Sequence, residues 1–385
     1  MRIRAGFATR LSALYAALFV LSGVQLPFFP VWLAAKGFDA DLIGLTLAVP
    51  MAVRIAAVPL ATHAADRRDA LRAALLVTTA GSVLGYALVG LAQSAPAILA
   101  AYGLASLAFT PVMPLTDAYA LKGLTARGRA YGPVRLWGSA AFILGTFAAG
   151  FATDIFAARD LIWLIVGAAV LTTLAALWLP ALATAAVSAQ DLRSARPLLR
   201  DGSFLAMLVA ASLIQASHAV YYGFSALAWR GQGLDGASIA ALWALGVIAE
   251  IVLFALQARL PPWATPTALL LIGALGGALR WTAMAFDPAA ATLPALQLLH
   301  AASFGASHLG VLSFIARRAP PGQIATAQGY YAILAGMAMA AAAALSGELY
   351  GRFGAAAYAA MALMAVAGGA CILVAQMFAR ALPLR

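Results

Sequence analysis

The chain has 385 residues, 64% of them hydrophobic and only 10% charged, against roughly 25% charged for an ordinary soluble domain. A water-soluble fold is thereby excluded, because the excess apolar surface must be solvated by lipid. The net charge of +11 would raise nucleic-acid binding in a soluble chain, yet no charged residue stands between Arg72 and Asp117. A module that reads phosphates has no use for such a run, so no nucleic-acid partner is expected.

Stretches of about 20 residues with little or no charge, long enough to cross a bilayer, recur along the chain. Twelve spans are predicted, at 11–35, 42–64, 73–92, 96–121, 132–153, 161–180, 203–229, 236–258, 264–286, 290–316, 323–347 and 354–379. The first follows Arg2, Arg4 and Arg10, but its apolar stretch is too long for a cleaved signal peptide. With twelve crossings, seventeen Lys and Arg residues fall on one side, including Arg67, Arg68, Arg72, Lys122, Arg259, Arg317 and Arg318. Only Lys36, Arg159, Arg230 and Arg352 fall on the other. The positive-inside bias makes the rich side cytoplasmic and places both termini there. The single Cys371 lies in an apolar segment and reads as a packing thiol.

The longest connection on the rich side runs over 181–202, with Ser188, Gln190, Asp191 and Pro197, and reads as a linker. The fold expected is an all-α membrane protein of two pseudo-symmetric six-helix bundles, 1–180 and 203–385. A repeat supports the halves: Gly37-Phe38-Asp39-Ala40-Asp41-Leu42-Ile43-Gly44 after span 1 corresponds to Gly233-Leu234-Asp235-Gly236-Ala237-Ser238-Ile239-Ala240 after span 7 at an offset of 196. A parallel repeat about the membrane normal requires such a match. The same offset sets Arg54 of span 2 in register with Glu250 of span 8.

Ionisable groups inside a membrane cost at least about 2.5 to 3.5 kcal/mol each, so they face a cavity or a partner. Glu250 lies about 14 residues into its span, roughly 21 Å deep, and is the first candidate for a proton-carrying or substrate-binding carboxylate. Burial favours the neutral acid and a neighbouring Arg the carboxylate, so alternating surroundings can load and release a proton. The competing reading is a structural pair between two helices. Arg54 could pair with Glu250 or hold an anionic substrate. Asp117 and Arg135, nearer the cytoplasmic ends of spans 4 and 5, suit a helix-locking ion pair. Arg280 stands beside Trp281 and could snorkel toward Asp287.

On span 10, His300, Ser303, Ser307 and His308 share one face at helical spacing, which favours a wet cavity over isolated packing residues. Gln215, His218, Tyr222 and Ser225 make a similar stripe on span 7, and Gln25 sits among aromatics on span 1. No carboxylate or Cys completes a metal set around the histidines, so neither metal nor cofactor is expected. Pro27, Pro30, Pro50, Pro59, Pro111 and Pro114 break helices where a gate would bend, or merely kink them. Phe28, Phe29, Trp32, Tyr221, Tyr222 and Trp229 line a substrate path or form interfacial belts, the belt being favoured for Trp32 and Trp229.

Two six-helix halves, a central linker and the turn Asp66-Arg67-Arg68 resemble the major facilitator superfamily. Within it, Pro27-Phe28-Phe29-Pro30-Val31-Trp32-Leu33, Tyr131-Gly132-Pro133-Val134-Arg135-Leu136-Trp137-Gly138-Ser139 and Leu299-His300-Ala301-Ala302-Ser303-Phe304 with His308 resemble the phenylpropionate permease group, relatives of the lactose permeases. The resemblance implies functional charges at Asp117, Arg135, Glu250, Arg280 and His300. Ser303 stands where the lactose permeases have a carboxylate, so proton coupling falls to Glu250, Asp117 or His300. It further implies a monomeric, proton-linked importer of a small carboxylate such as 3-phenylpropionate, in a bacterial inner membrane, working by alternating access. Export of lipophilic compounds and sugar or nucleoside symport are the alternatives. A membrane-embedded enzyme built on His63 and Asp66 lacks any further catalytic group. No Walker A sequence is present, which leaves ion or solute gradients to drive transport.

Overall fold

The computed structural model describes residues 6–182, 196–320 and 323–381. Most of the expected linker, at 183–195, lies outside these residues, as do the extreme ends with Arg2, Arg4 and Arg385. The described residues are helical without strands. In chain order the helices are α1 (Phe7–Ala35), α2 (Ala40–Arg67), α3 (Leu71–Leu91), α4 (Ala95–Phe109), α5 (Val112–Thr125), α6 (Gly132–Ile155) and α7 (Ile162–Leu177). There follow α8 (Gly202–Ala216), α9 (Ala219–Gly231), α10 (Gly236–Ala255), α11 (Pro266–Ala285), α12 (Leu293–Leu298), α13 (Ser307–Arg318), α14 (Ile324–Phe353) and α15 (Tyr358–Ala381).

Eleven stretches among the described residues are long and apolar enough to span a membrane. The last, Thr326–Met377, has 52 residues and would run about 78 Å as one helix, more than twice the hydrocarbon thickness. Gly354, at φ +55°, breaks it into α14 and α15, which brings the crossings to twelve. Side chains such as Val77 and Met377 are more than 70% exposed, as apolar residues facing lipid are.

Three spans are built from two helices each. Pro111, which has no amide hydrogen to give, separates α4 from α5. Pro27, Pro30, Pro50 and Pro59 instead stay inside the continuous helices α1 and α2, so the expectation that prolines break the helices holds at Pro111 alone. Between α8 and α9, the Ser217 hydroxyl donates to the Ile214 carbonyl at 2.6 Å and supplies a partner for the backbone at the bend. Between α12 and α13 the chain runs as a π-helix over Ala301–Ala306.

The chain divides into two compact units. The first comprises Met1–Ala186 and Trp229–Trp243, the end of α9, the turn after it and the start of α10. Its core packs Leu11, Leu14, Tyr15 and Leu18 of α1 against Leu75, Val112, Leu115 and Tyr119. Helices α1 and α6 approach closely because Gly23 and Gly145 lack side chains: a Cβ on either would strike the facing backbone carbonyl of Phe142 or Val20. Trp32 and Trp229 are buried, 0% and 1% exposed, which overturns the interfacial-belt reading. The Trp32 indole is held inside because its N–H donates to the Arg159 carbonyl at 2.9 Å.

The repeated turns close alike. Gly37 and Gly233 sit at φ +86° and +89°, and their amides donate to the Ala34 and Arg230 carbonyls, each at 3.0 Å. Asp39 then caps α2 through the Leu42 amide at 2.9 Å, and Asp235 caps α10 through the Ser238 amide at 2.7 Å. Hydrogen bonds from the Ser238 hydroxyl and then its amide lower the Asp235 carboxyl below its ordinary range.

The second unit comprises Val187–Ala228 and Ala244–Arg385. Phe204, Leu208, Ala211 and Ile214 of α8 form its core with Leu270, Val311, Ile315 and Ile372. This packing carries the buried polar groups described next.

Candidate functional site

In the second unit α8, α9, α10, α11 and the π segment gather polar side chains that a membrane interior tolerates only when they satisfy one another. Arg280 of α11 is fully buried. Its guanidinium lies between the rings of Tyr221, at 4.5 Å, and Trp281, at 4.6 Å. Nη2 donates to Gln297 Oε1 at 2.7 Å, and Nη1 donates to His300 Nδ1 at 3.0 Å. The side chain thus turns inward, which corrects the snorkelling alternative: cation–π faces and hydrogen bonds supply what water would have.

These contacts fix the histidine tautomers. Arginine can only donate, so His300 Nδ1 accepts, and the ring proton of the neutral imidazole sits on Nε2. That nitrogen faces Glu250 Oε2 at 3.7 Å. Protonating Nδ1 as well would break the bond from Arg280 and set two cations side by side. His218 is arranged the other way. Its Nδ1 lies 3.1 Å from the Gln215 carbonyl, which only accepts, so Nδ1 donates and Nε2 accepts from Ser303 Oγ at 3.2 Å. Ser303 in turn lies 3.4 Å from Arg280 Nη1. Serine, standing where the resemblance expects a carboxylate, therefore relays hydrogen bonds from Arg280 to His218 without adding charge.

Glu250 is the outward member of the set, its side chain 20% exposed against 9% for His300. Tyr222 stacks on His218 with centroids 5.7 Å apart. Phe304 lies between His300 and His308, nearly parallel to both at 5.1 and 5.8 Å. The rings at 300, 304 and 308 thus stack along one side of the segment. His300 and Ser303 reach Arg280, and Ser307, one turn on, accepts from the Gln215 amide at 2.9 Å.

The first unit holds a separate set. Asp117 accepts from the hydroxyls of Tyr15, at 2.6 Å, and Tyr131, at 2.8 Å. Arg135 lies over the Phe19 ring at 4.1 Å. No ion pair joins Asp117 to Arg135 among the described residues, which corrects the expected helix lock: two phenols satisfy the carboxylate and an aromatic face takes the guanidinium. Gln25 donates to Tyr102 at 3.0 Å and accepts from Tyr86 at 2.9 Å. Arg54 is half-buried on α2 and has no ion pair among the described residues.

Sequence reasoning missed Gln297, Tyr15, Tyr86, Tyr102 and Tyr131 as members of these sets. Gln297 had a signal, standing three residues before His300 and hence on its face. The tyrosines had none, since an apolar span holds tyrosine as readily for packing as for its hydroxyl.

The model of the MFS_1 like family matches residues 8–360. The chain belongs to this family. It is 33% identical over 369 residues to the "Probable 3-phenylpropionic acid transporter" of Escherichia coli (strain K12), covering 93% of this chain and 96% of that relative. It is also 29% identical over 322 residues to the "Maltose permease" of Geobacillus stearothermophilus, covering 82% and 81%. Among solved structures the nucleoside transporter NupG superposes with a TM-score of 0.84 at 15% identity, covering 96% and 99%; this likeness shows the fold alone. As a member of the major facilitator transporters, the chain is an integral membrane protein that moves a small molecule by secondary transport. It is a transporter, not an enzyme.

Proposed function

We propose that the protein is a proton-coupled symporter importing a small aromatic carboxylate, such as 3-phenylpropionate. It acts by alternating access between the two six-helix halves, in a bacterial inner membrane with both termini cytoplasmic. The observation that carries this reading is the line Glu250, His300, Arg280. A partly exposed carboxylate lies 3.7 Å from an imidazole that the buried guanidinium keeps deprotonated at Nδ1, 3.0 Å away. With that imidazole held neutral, a proton taken up at the site goes to Glu250, and the carboxylate can exchange it as its surroundings alternate.

Aromatic acids are favoured by the ring wall of His218, Tyr222 and Phe304 and by the activity named for the Escherichia coli relative. Arg54, with no ion pair among the described residues, is a second candidate to hold an anionic group. The remaining site candidates, Gln25, Asp117, Arg135 and His308, act in this reading as support around the path.

The test is uptake in proteoliposomes under an imposed inward proton gradient. Glu250→Gln should abolish accumulation of 3-phenylpropionate while leaving binding measurable by thermal stabilisation. Full accumulation by that variant removes Glu250 from coupling. Stabilisation of the wild type by maltose or nucleosides, and not by aromatic acids, would move the substrate class to that of other relatives.

A further inference from the structure

The Arg280 cluster contains more donors than acceptors. Gln297 is fully buried, and its Oε1 receives two hydrogen bonds, from Arg280 Nη2 at 2.7 Å and from the Tyr221 hydroxyl at 3.0 Å. Two donors on that atom fix which end of the amide is oxygen, so Nε2 is the opposite end and can only donate. Nε2 has no hydrogen-bond partner among the described residues. Neither has Arg280 Nε, also a pure donor, nor the buried hydroxyl of Tyr358, whose ring stacks on Trp281 at 5.7 Å. A native interior satisfies most of its buried polar atoms, and the exceptions require an explanation.

Charge gives the same answer as the donor count. The cluster carboxylate, Glu250, faces His300 at 3.7 Å, and the hydrogen bonds of the Arg280 guanidinium go to the neutral groups Gln297, His300 and Ser303. A buried guanidinium whose hydrogen bonds all go to neutral partners is expensive. What the cluster lacks is therefore an acceptor that carries negative charge, adjoining aromatic faces.

We propose that Arg280 Nε, Gln297 Nε2 and the Tyr358 hydroxyl form the subsite for the carboxylate group of the transported acid, with Gln297 as the residue that selects an acid over a neutral analogue. This rests on the aromatic-acid reading above and adds where the acid group is held. The guanidinium supplies charge, and Gln297 supplies a directed donor whose orientation Tyr221 fixes from behind. An alcohol or amide of the same shape keeps the ring contacts and loses the charge-assisted bonds, which are roughly twice as strong as neutral ones.

The experiment compares 3-phenylpropionate with 3-phenylpropanol as ligands of the purified full-length protein, by thermal stabilisation and by competition for uptake. The wild type should prefer the acid. Gln297→Leu should weaken the acid about tenfold or more and leave the alcohol within about twofold, so that the selectivity ratio collapses. Gln297→Glu tests the same site from the opposite direction, by giving Arg280 an internal counter-ion. It should keep the unliganded protein at least as heat-stable as the wild type while abolishing acid binding. Equal losses for acid and alcohol in Gln297→Leu, or undiminished acid binding by Gln297→Glu, overturn the assignment. Absence of acid binding by the wild type overturns the aromatic-acid reading instead, so the two failures are told apart.

Discussion

Asp201 shows how one carboxylate outside the membrane core performs two tasks. Its Oδ1 accepts from the Phe204 amide at 3.1 Å and caps α8, while Oδ2 accepts from Arg318 at 2.7 and 3.2 Å. Partial burial pushes the carboxyl up, but the bonds from Arg318 and the Phe204 amide outweigh it and hold the group below its ordinary 3.8. A carboxyl depressed in the folded state stabilises the protein above its unfolded value, and that contribution is lost as pH falls through the folded value. Asp201→Ala should therefore cost about 1 kcal/mol at neutral pH, most of it from the cap. The difference between wild type and variant in thermal unfolding should shrink as pH drops from about 4 downward; a difference that stays constant to pH 2 would contradict the linkage. At this same scale lies what the sequence hid. Depth and charge single out Glu250, Arg280 and His300, because ionisable groups are rare in an apolar span. The hydrogen-bond partners of Asp117 and Gln25 are tyrosines whose hydroxyls are invisible among aromatic packing residues, and the direction of Arg280, inward to Gln297 rather than outward, depends on a tertiary ring cage.

Among the elements, the two related turns test how far backbone geometry reads from sequence. The match of positions 37–44 to 233–240 is short and identical only at Gly37, Asp39 and Ile43, yet both glycines adopt positive φ and both aspartates cap the next helix. The pattern is legible because each residue type is required by a backbone conformation that others adopt at a cost. A Cβ at either glycine meets open space, so Gly37→Ala and Gly233→Ala should each destabilise by about 1 kcal/mol through φ alone. Equal shifts in thermal unfolding for the two variants, with transport retained, are the expected outcome; no shift would mean that the turns relax to negative φ. The interruptions of spans 4, 7 and 10 were less legible. Pro111 announces the first, whereas Ser217 carries no breaker and Ala301–Ala306 carries only Gly305, which helices tolerate at a cost. Those bends come from Ser217 bonding to both Ile214 and Trp281, and from a π segment beside the Arg280 cluster, where such segments are frequent at functional sites.

For the whole molecule, the proposed coupling has an electrical signature. If one proton travels with one monovalent carboxylate, the translocated pair is neutral, and a membrane potential does no work on it. A neutral solute carried with one proton would instead gain about 2.3 kcal/mol per 100 mV, which is roughly a fiftyfold increase in accumulation. Proteoliposomes holding a potassium diffusion potential with equal pH on both sides should accumulate essentially no 3-phenylpropionate, while a pH gradient at zero potential should drive it. Each unit of pH is worth about 1.36 kcal/mol, so the accumulation ratio should rise close to tenfold per unit of gradient. Strong accumulation driven by potential alone would require more than one proton per acid, and hence a second titrating group. In the first unit the intramembrane carboxylate Asp117 accepts at Oδ1 from the hydroxyls of Tyr15 and Tyr131. In the proposed symport Glu250 alone exchanges the proton, so electroneutral uptake is the expected outcome, and potential-driven accumulation would overturn it.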